Sequence, residues 1–172
     1  GVRAGERALG EDIFEEKVGY FWGIVRTRPY MRARLGLAEC LWAMGEEEAA
    51  ADHMWELLRL NPQDNQGIRY LLRELLWEIE DDDGLERLFD VFDEEESTEW
   101  LYSRALWLFV TEDAAADDML DAALDANPHV PRFLLGKKRL RKSADDWKLE
   151  EAARYVVLYG KEWQQTYGAQ RW

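Results

Sequence analysis

Two histidines, His53 and His129, a single cysteine, Cys40, and two acidic runs are the material from which hydrolytic or metal chemistry would have to be assembled. The pattern does not supply it. No His-Glu-x-x-His segment occurs, so a zinc-peptidase helix is not expected. His53 falls in an apolar-periodic segment beside Met54 and Leu57 and reads as a partly exposed helical residue, while His129 stands between two prolines in a loop. Cys40 adjoins Leu41 and reads as a small apolar residue rather than a nucleophile. Gly136-Lys137 lacks the earlier glycine of a phosphate-binding loop. Asp81-Asp82-Asp83-Gly84 lacks the alternating ligand spacing of a calcium loop and reads as a solvated helix end. Asp93-Glu94-Glu95-Glu96 precedes a helix start, where negative charge suits the helix dipole. No metal, no cofactor and no catalytic residue is expected, so the chain is not read as an enzyme.

Two basic features are more suggestive. Lys137-Lys138-Arg139-Leu140-Arg141-Lys142 interrupts an acidic body; it either pairs with the chain's own carboxylates or docks an acidic partner or a second copy. Around residues 66–77, Gln66, Arg69, Tyr70, Arg73 and Trp77 recur at spacings of three and four, opposite the apolar set Ile68, Leu71, Leu72, Leu75, Leu76 and Ile79. Guanidinium forks flanked by rings suit a carboxylate. The alternative is that Arg69 and Arg73 pair with Glu39 or Glu99 and bind nothing.

These residues need helices to position them. Met31–Met44 reads as a helix with Thr27 as N-cap, Pro29 tolerated in the first turn and Gly45 ending it. Ala49–Leu60 is its partner, stopped by Asn61-Pro62. Asp64 or Asn65 caps the next helix, which ends near Asp81–Gly84, and Leu85–Phe92 is a short one. Ser97 caps a helix over Thr98–Val110, and Thr111 caps another running to Ala126. Glu11–Trp22 and Asp146–Gln165 supply helices towards the two ends, and no strand is expected. Pro29 and Pro62 stand 33 residues apart and Pro62 and Pro128 stand 66 apart, with Asn61-Pro62 repeated as Asn127-Pro128. A period near 33 points to helical-hairpin repeats.

On these residues the segment Met31–Pro62 resembles a tetratricopeptide repeat (TPR). Leu37-Ala38, Leu41, Gly45, Ala50, Met54, Leu57 and Pro62 match its hydrophobic, small and proline positions, and Ala116, Leu120, Ala123 and Pro128 match its second half. Small residues at 38 and 50 allow two helices to cross closely. The stretches Thr27–Arg34, Asn61–Tyr70 and Asn127–Pro131, within residues 27–136, also look like a bacterial TPR-like module similar to part of the suppressor-of-tumorigenicity seven family. The expected fold is therefore all-α, a right-handed TPR-like solenoid of about three hairpin repeats with extra terminal helices. It is read as one domain: an N-terminal helical segment over 1–26, repeats over 27–62, 63–96 (degenerate) and 97–128, and a C-terminal loop with capping helices over 129–172.

The resemblance implies a peptide-binding scaffold without enzymatic activity, in which the first helices of successive repeats line a concave groove. Arg32, Glu39 and Trp42 would then lie beside the stripe of Gln66, Arg69, Tyr70, Arg73 and Trp77, with Tyr102 and Phe109 beyond. The carboxylate clamp of chaperone-binding TPRs is not matched. The expected partner is another protein or peptide, acidic or carboxylate-bearing. The alternative is a structural, self-associating module forming a homodimer through Tyr155, Val156, Val157 and Trp163.

Composition excludes several classes. With 22 Lys+Arg against 36 Asp+Glu the net charge is −14, which argues against a nucleic-acid groove and against docking on anionic membranes. No apolar run approaches the ~20 residues of a membrane span. The 47% hydrophobic content, with nine Trp, is far from that of a disordered acidic tail. One cysteine cannot form an intrachain disulfide, and no signal-type apolar segment opens the sequence, so the expected compartment is the cytoplasm.

Overall fold

Apolar spacings of three and four become ten α-helices among the described residues, and no strand forms there. A computed structural model describes residues 1–136 and 147–172. The basic run Lys137–Lys142, and the expected helix start at Asp146, lie outside the described residues. Packing divides the chain into two compact units, Gly1–Val91 and Phe92–Trp172.

The first unit holds α1 (Val2–Leu9), α2 (Asp12–Glu16), two short 3-10 turns, α3 (Arg28–Ala43), α4 (Glu47–Leu60), α5 (Ile68–Glu78) and α6 (Asp82–Val91). α3 and α4 form a helical hairpin. Gly45 turns the chain at φ 76°, where a side chain would be strained, and the amides of Gly45 and Glu46 close on the carbonyls of Trp42 and Leu41 at 2.9 Å. Ala38 and Ala50 are both fully buried, as their small size predicts for a close crossing. α4 buries Ala50, Met54, Leu57 and Leu58, and α5 buries Ile68, Leu72, Leu75 and Leu76. These spacings are one helical face each.

Several local expectations change: the helix expected to end near Asp81–Gly84 ends at Glu78, and the short helix expected over Leu85–Phe92 begins at Asp82. The helix expected over Glu11–Trp22 stops at Glu16, because Gly19 takes φ 85° and Phe21 turns inward onto Phe14, with ring centroids 5.1 Å apart. Thr27 sits at the N-cap of α3 but does not cap it; its hydroxyl donates to the carbonyls of Phe21 and, at 2.7 Å, Ile24. The N-cap of α5 is Gly67, yet the carboxylate of Asp64 reaches forward to accept from the amides of Ile68 at 2.7 Å and Arg69 at 3.0 Å. Burial pushes the Asp64 carboxyl above its ordinary pKa, and these amide donors oppose the rise.

The second unit holds α7 (Thr98–Val110), α8 (Ala116–Ala126), α9 (Val130–Leu134) and α10 (Trp147–Gln165). Ser97 caps α7 as expected, accepting from the Trp100 amide at 3.3 Å. Thr111 does not start α8; it ends α7, donating to the carbonyls of Trp107 and Leu108. α7 packs against both α8 and α10, so residues around its circumference are buried, including Trp100, Tyr102, Ser103, Leu106 and Leu108. α9 lies within the stretch 129–172 expected as a C-terminal loop with capping helices, and takes up the part around His129 expected as loop; Pro131 sits in its first turn, where a missing amide costs nothing.

The repeated Asn-Pro dipeptides serve the same purpose. Asn61 ends α4 and Asn127 ends α8, each amide donating at 3.0 Å to the carbonyl four residues back. Asn127 also ties the second unit together. Its side chain donates to the Lys148 carbonyl at 2.9 Å and Glu151 at 3.3 Å, and accepts from the His129 amide at 3.1 Å.

Candidate functional site

α3 and the turns before it bring guanidinium groups onto an aromatic ring. Arg28 and Arg32, one helical turn apart, place their guanidinium carbons 5.4 and 5.6 Å from the centroid of the Trp22 ring. Arg28 also donates from Nε to the Trp22 carbonyl at 2.8 Å, fixing the ring's backbone, while Arg32 is exposed. Further along α3, Trp42 donates from Nε1 to Glu78 at the end of α5, 2.8 Å away. α5 carries a second stacked pair: Arg69 lies 4.9 Å from the Tyr70 ring centroid and 3.7 Å from the buried Asp64 carboxylate. Gln66 is half-buried in the turn before α5, and Trp77 is half-buried on the helix.

Two of the expected site residues are internal. Arg73 is 1% exposed, inside the first unit rather than on a groove face. Leu72, Leu75 and Leu76 surround it in sequence and are all buried, so α5 is enclosed over more than its apolar stripe and the long Arg73 stem is drawn in with it. Tyr102 is fully buried in the second unit, donating from its hydroxyl to the Asn127 carbonyl at 2.7 Å. Burial pushes its phenol well above the ordinary range. Phe109 is likewise spent within that unit, stacked on Trp172 at 4.7 Å. Replacing Tyr102 with Phe is therefore expected to destabilise the second unit by ~1–3 kcal/mol, the cost of leaving a buried carbonyl unpaired. Denaturant unfolding measures it, and an unchanged midpoint would show that the bond contributes nothing.

Sequence reasoning missed Trp22 and Arg28. The spacing of Arg28 and Arg32 was a legible signal, but the position of Trp22 under them depends on the chain break at Gly19.

A second cluster sits where α1 and α2 meet α3 and α4. An open cleft of about 500 Å³ is bordered by Glu6, Phe14, Tyr30, Arg34, Glu56 and Arg59, among others. Arg34 donates to the Tyr30 hydroxyl, and Arg59 holds both oxygens of Glu56, at 2.6 and 2.8 Å. Hydrogen bonding to Arg59 lowers the Glu56 pKa, so the carboxylate is ionised and already engaged. His53, nearby on α4, has its pKa pushed below the usual 6.5, first by burial and then by the charge of Arg34.

That shift sets a pH dependence. The unfolded chain protonates at His53 near pH 6.5, whereas the folded chain resists the proton, so stability is complete above that pH and falls as pH drops towards the lowered pKa. His53→Gln is expected to flatten the melting temperature between about pH 7 and pH 5.5 relative to the parent chain. Parallel slopes for both proteins would remove His53 as the cause.

Among the described residues, no group of three or more His, Cys, Asp or Glu converges as a metal ligand set, and no helix is long and apolar enough to cross a membrane. No protein-family model, no curated protein and no solved structure matched the chain in comparison.

Proposed function

We propose that the chain is a non-catalytic protein-interaction module whose first unit takes a carboxylate-bearing segment of another protein. The observation that carries this reading is the exposed Arg32 guanidinium stacked with Arg28 about Trp22, a preorganised fork beside a ring. The Arg69–Tyr70 pair on α5 adds a second stack of the same kind. Charge of the whole molecule opposes an acidic partner, but beyond ~8 Å it is screened at physiological salt, so the local arginines govern the contact. Resemblance of the α3–α4 hairpin to a TPR, with stacking of the hairpins as a solenoid and a cytoplasmic setting, belongs to this reading as well.

Fluorescence polarisation tests it, using a Glu/Asp-rich peptide, its Gln/Asn counterpart and a Lys-rich peptide. The acidic peptide is expected to bind, more weakly as salt rises. Arg32→Glu is expected to weaken it by ~1.5–3 kcal/mol, roughly ten- to hundredfold. Equal affinity for parent and variant, or preference for the Lys-rich peptide, would sink the assignment.

A second reading, self-association, draws on Val157 and Leu158 of α10, which are 75% and 55% exposed. Tyr155 and Trp163, expected to share that surface, are buried inside the second unit. A molecular mass that doubles with concentration, and stays monomeric in Val157→Glu, would favour it.

A further inference from the structure

A cavity of about 300 Å³ lies within the second unit, at the lower end of the ~300–1,000 Å³ range of small-molecule sites. Leu120 and Leu124 of α8, Leu134 of α9 and the rings of Trp163 and Trp172 are among its lining residues, and the fully buried Tyr102 borders it. The polar edges of those rings are all engaged elsewhere. Tyr102 donates to the Asn127 carbonyl at 2.7 Å, Trp163 to the Tyr155 hydroxyl at 2.8 Å, and Trp172 to Asp117 at 2.6 Å. What the rings offer the cavity is carbon surface. The Trp172 ring is held flat by near-parallel neighbours, Phe109 at 25° and Trp163 at 16°. A planar apolar group fits such a wall better than a branched or hydrated one.

One charged group borders this surface. Arg171 is the only ionisable cation among the described lining residues; it is exposed, and no described carboxylate pairs with it. An exposed guanidinium bordering a carbon-walled cavity can orient an anion whose remainder is buried.

We infer that this cavity binds a small planar aromatic carboxylate, with its ring among Leu120, Leu124, Trp163 and Trp172 and its carboxylate against Arg171. The site shares no residue with the Trp22–Arg32 surface, so it stands or falls apart from the function proposed above.

The experiment titrates the full chain calorimetrically with three compounds of one ring system: 2-naphthoate, 2-naphthamide and 2-naphthylmethylamine. The naphthoate is expected to bind tightest and to shift the indole N–H resonances of Trp163 and Trp172. Arg171→Glu is expected to weaken the naphthoate ~10–100-fold while leaving the amide unchanged. Because Arg171 is exposed, that variant keeps the fold, which its circular dichroism checks. Leu124→Trp, which fills the cavity, is expected to weaken both the acid and the amide, and reading it beside Arg171→Glu separates ring burial from charge. No binding by any of the three, equal binding of acid and amide, tighter binding of the amine, or an unaltered naphthoate affinity in Arg171→Glu would each overturn the inference.

Discussion

Replacing Arg73 with Glu is expected to destabilise the first unit by ~3–5 kcal/mol, because a carboxylate would be enclosed where a guanidinium is now 1% exposed. Arg73 reaches its position on a long apolar stem, and the shorter Glu would lose that packing as well as reverse the charge. For a unit of this size a loss of ~3 kcal/mol already lowers the melting temperature by at least ~12 °C. Arg32→Glu, at an exposed position on α3, is expected to stay within ~1 kcal/mol of the parent. Thermal melts followed by circular dichroism compare the two. Similar small effects for both would mean that Arg73 is in reach of solvent, and would restore it as a binding residue. The contrast also decides which arginine can test function: loss of binding in an Arg73 variant would report unfolding, whereas Arg32 can lose its partner with the helices intact.

Trp100→Ala is expected to cost the second unit ~3–5 kcal/mol, the usual range for removing a buried ring and leaving a void behind. Trp100 is 1% exposed on α7 and meets Phe92 edge-on, with centroids 5.9 Å apart. Since domains are stable by only ~5–15 kcal/mol, a change of this size removes a large share of the total. Trp147 in the same unit is 67% exposed at the start of α10, and Trp147→Ala is expected to lie within ~0.5 kcal/mol of the parent. Urea unfolding of the two variants checks the pair. Equal midpoints would show that the ring of Trp100 is not part of a cooperative core.

Helix identity was legible where the signal is local. The spacing of Ile68, Leu72, Leu75 and Leu76 gives α5 its existence and its buried face, though not its ends, which fall at Ile68 and Glu78; Gly45 and its flanking helices give the α3–α4 hairpin, and Ser97 marks the start of α7. Each rests on interactions within about one helical turn, so neighbours in sequence suffice to specify them. Local rules failed where a long-range contact won. Phe21 leaves the expected helix to join Phe14 and Tyr30, and Thr111 closes α7 rather than opening α8.

The candidate surface divides along the same line. That arginines and aromatics recur at helical spacing on α3 and α5 follows from the sequence alone, because side-chain period and backbone geometry are the same on any helix. Which of them face solvent does not, since a helix enclosed by neighbours on several sides buries residues outside its apolar stripe. Tertiary packing thus drew Arg73 and Tyr102 inside, left Arg32 out, and carried Trp22 beneath Arg28 and Arg32. It likewise folded Trp172 back onto Phe109, creating a carbon-walled cavity from residues spread between Tyr102 and the end of the described chain. Sequence therefore determined the helices and the chemistry each one carries; burial, which depends on what packs against every face, decided which of those groups remain accessible to a partner.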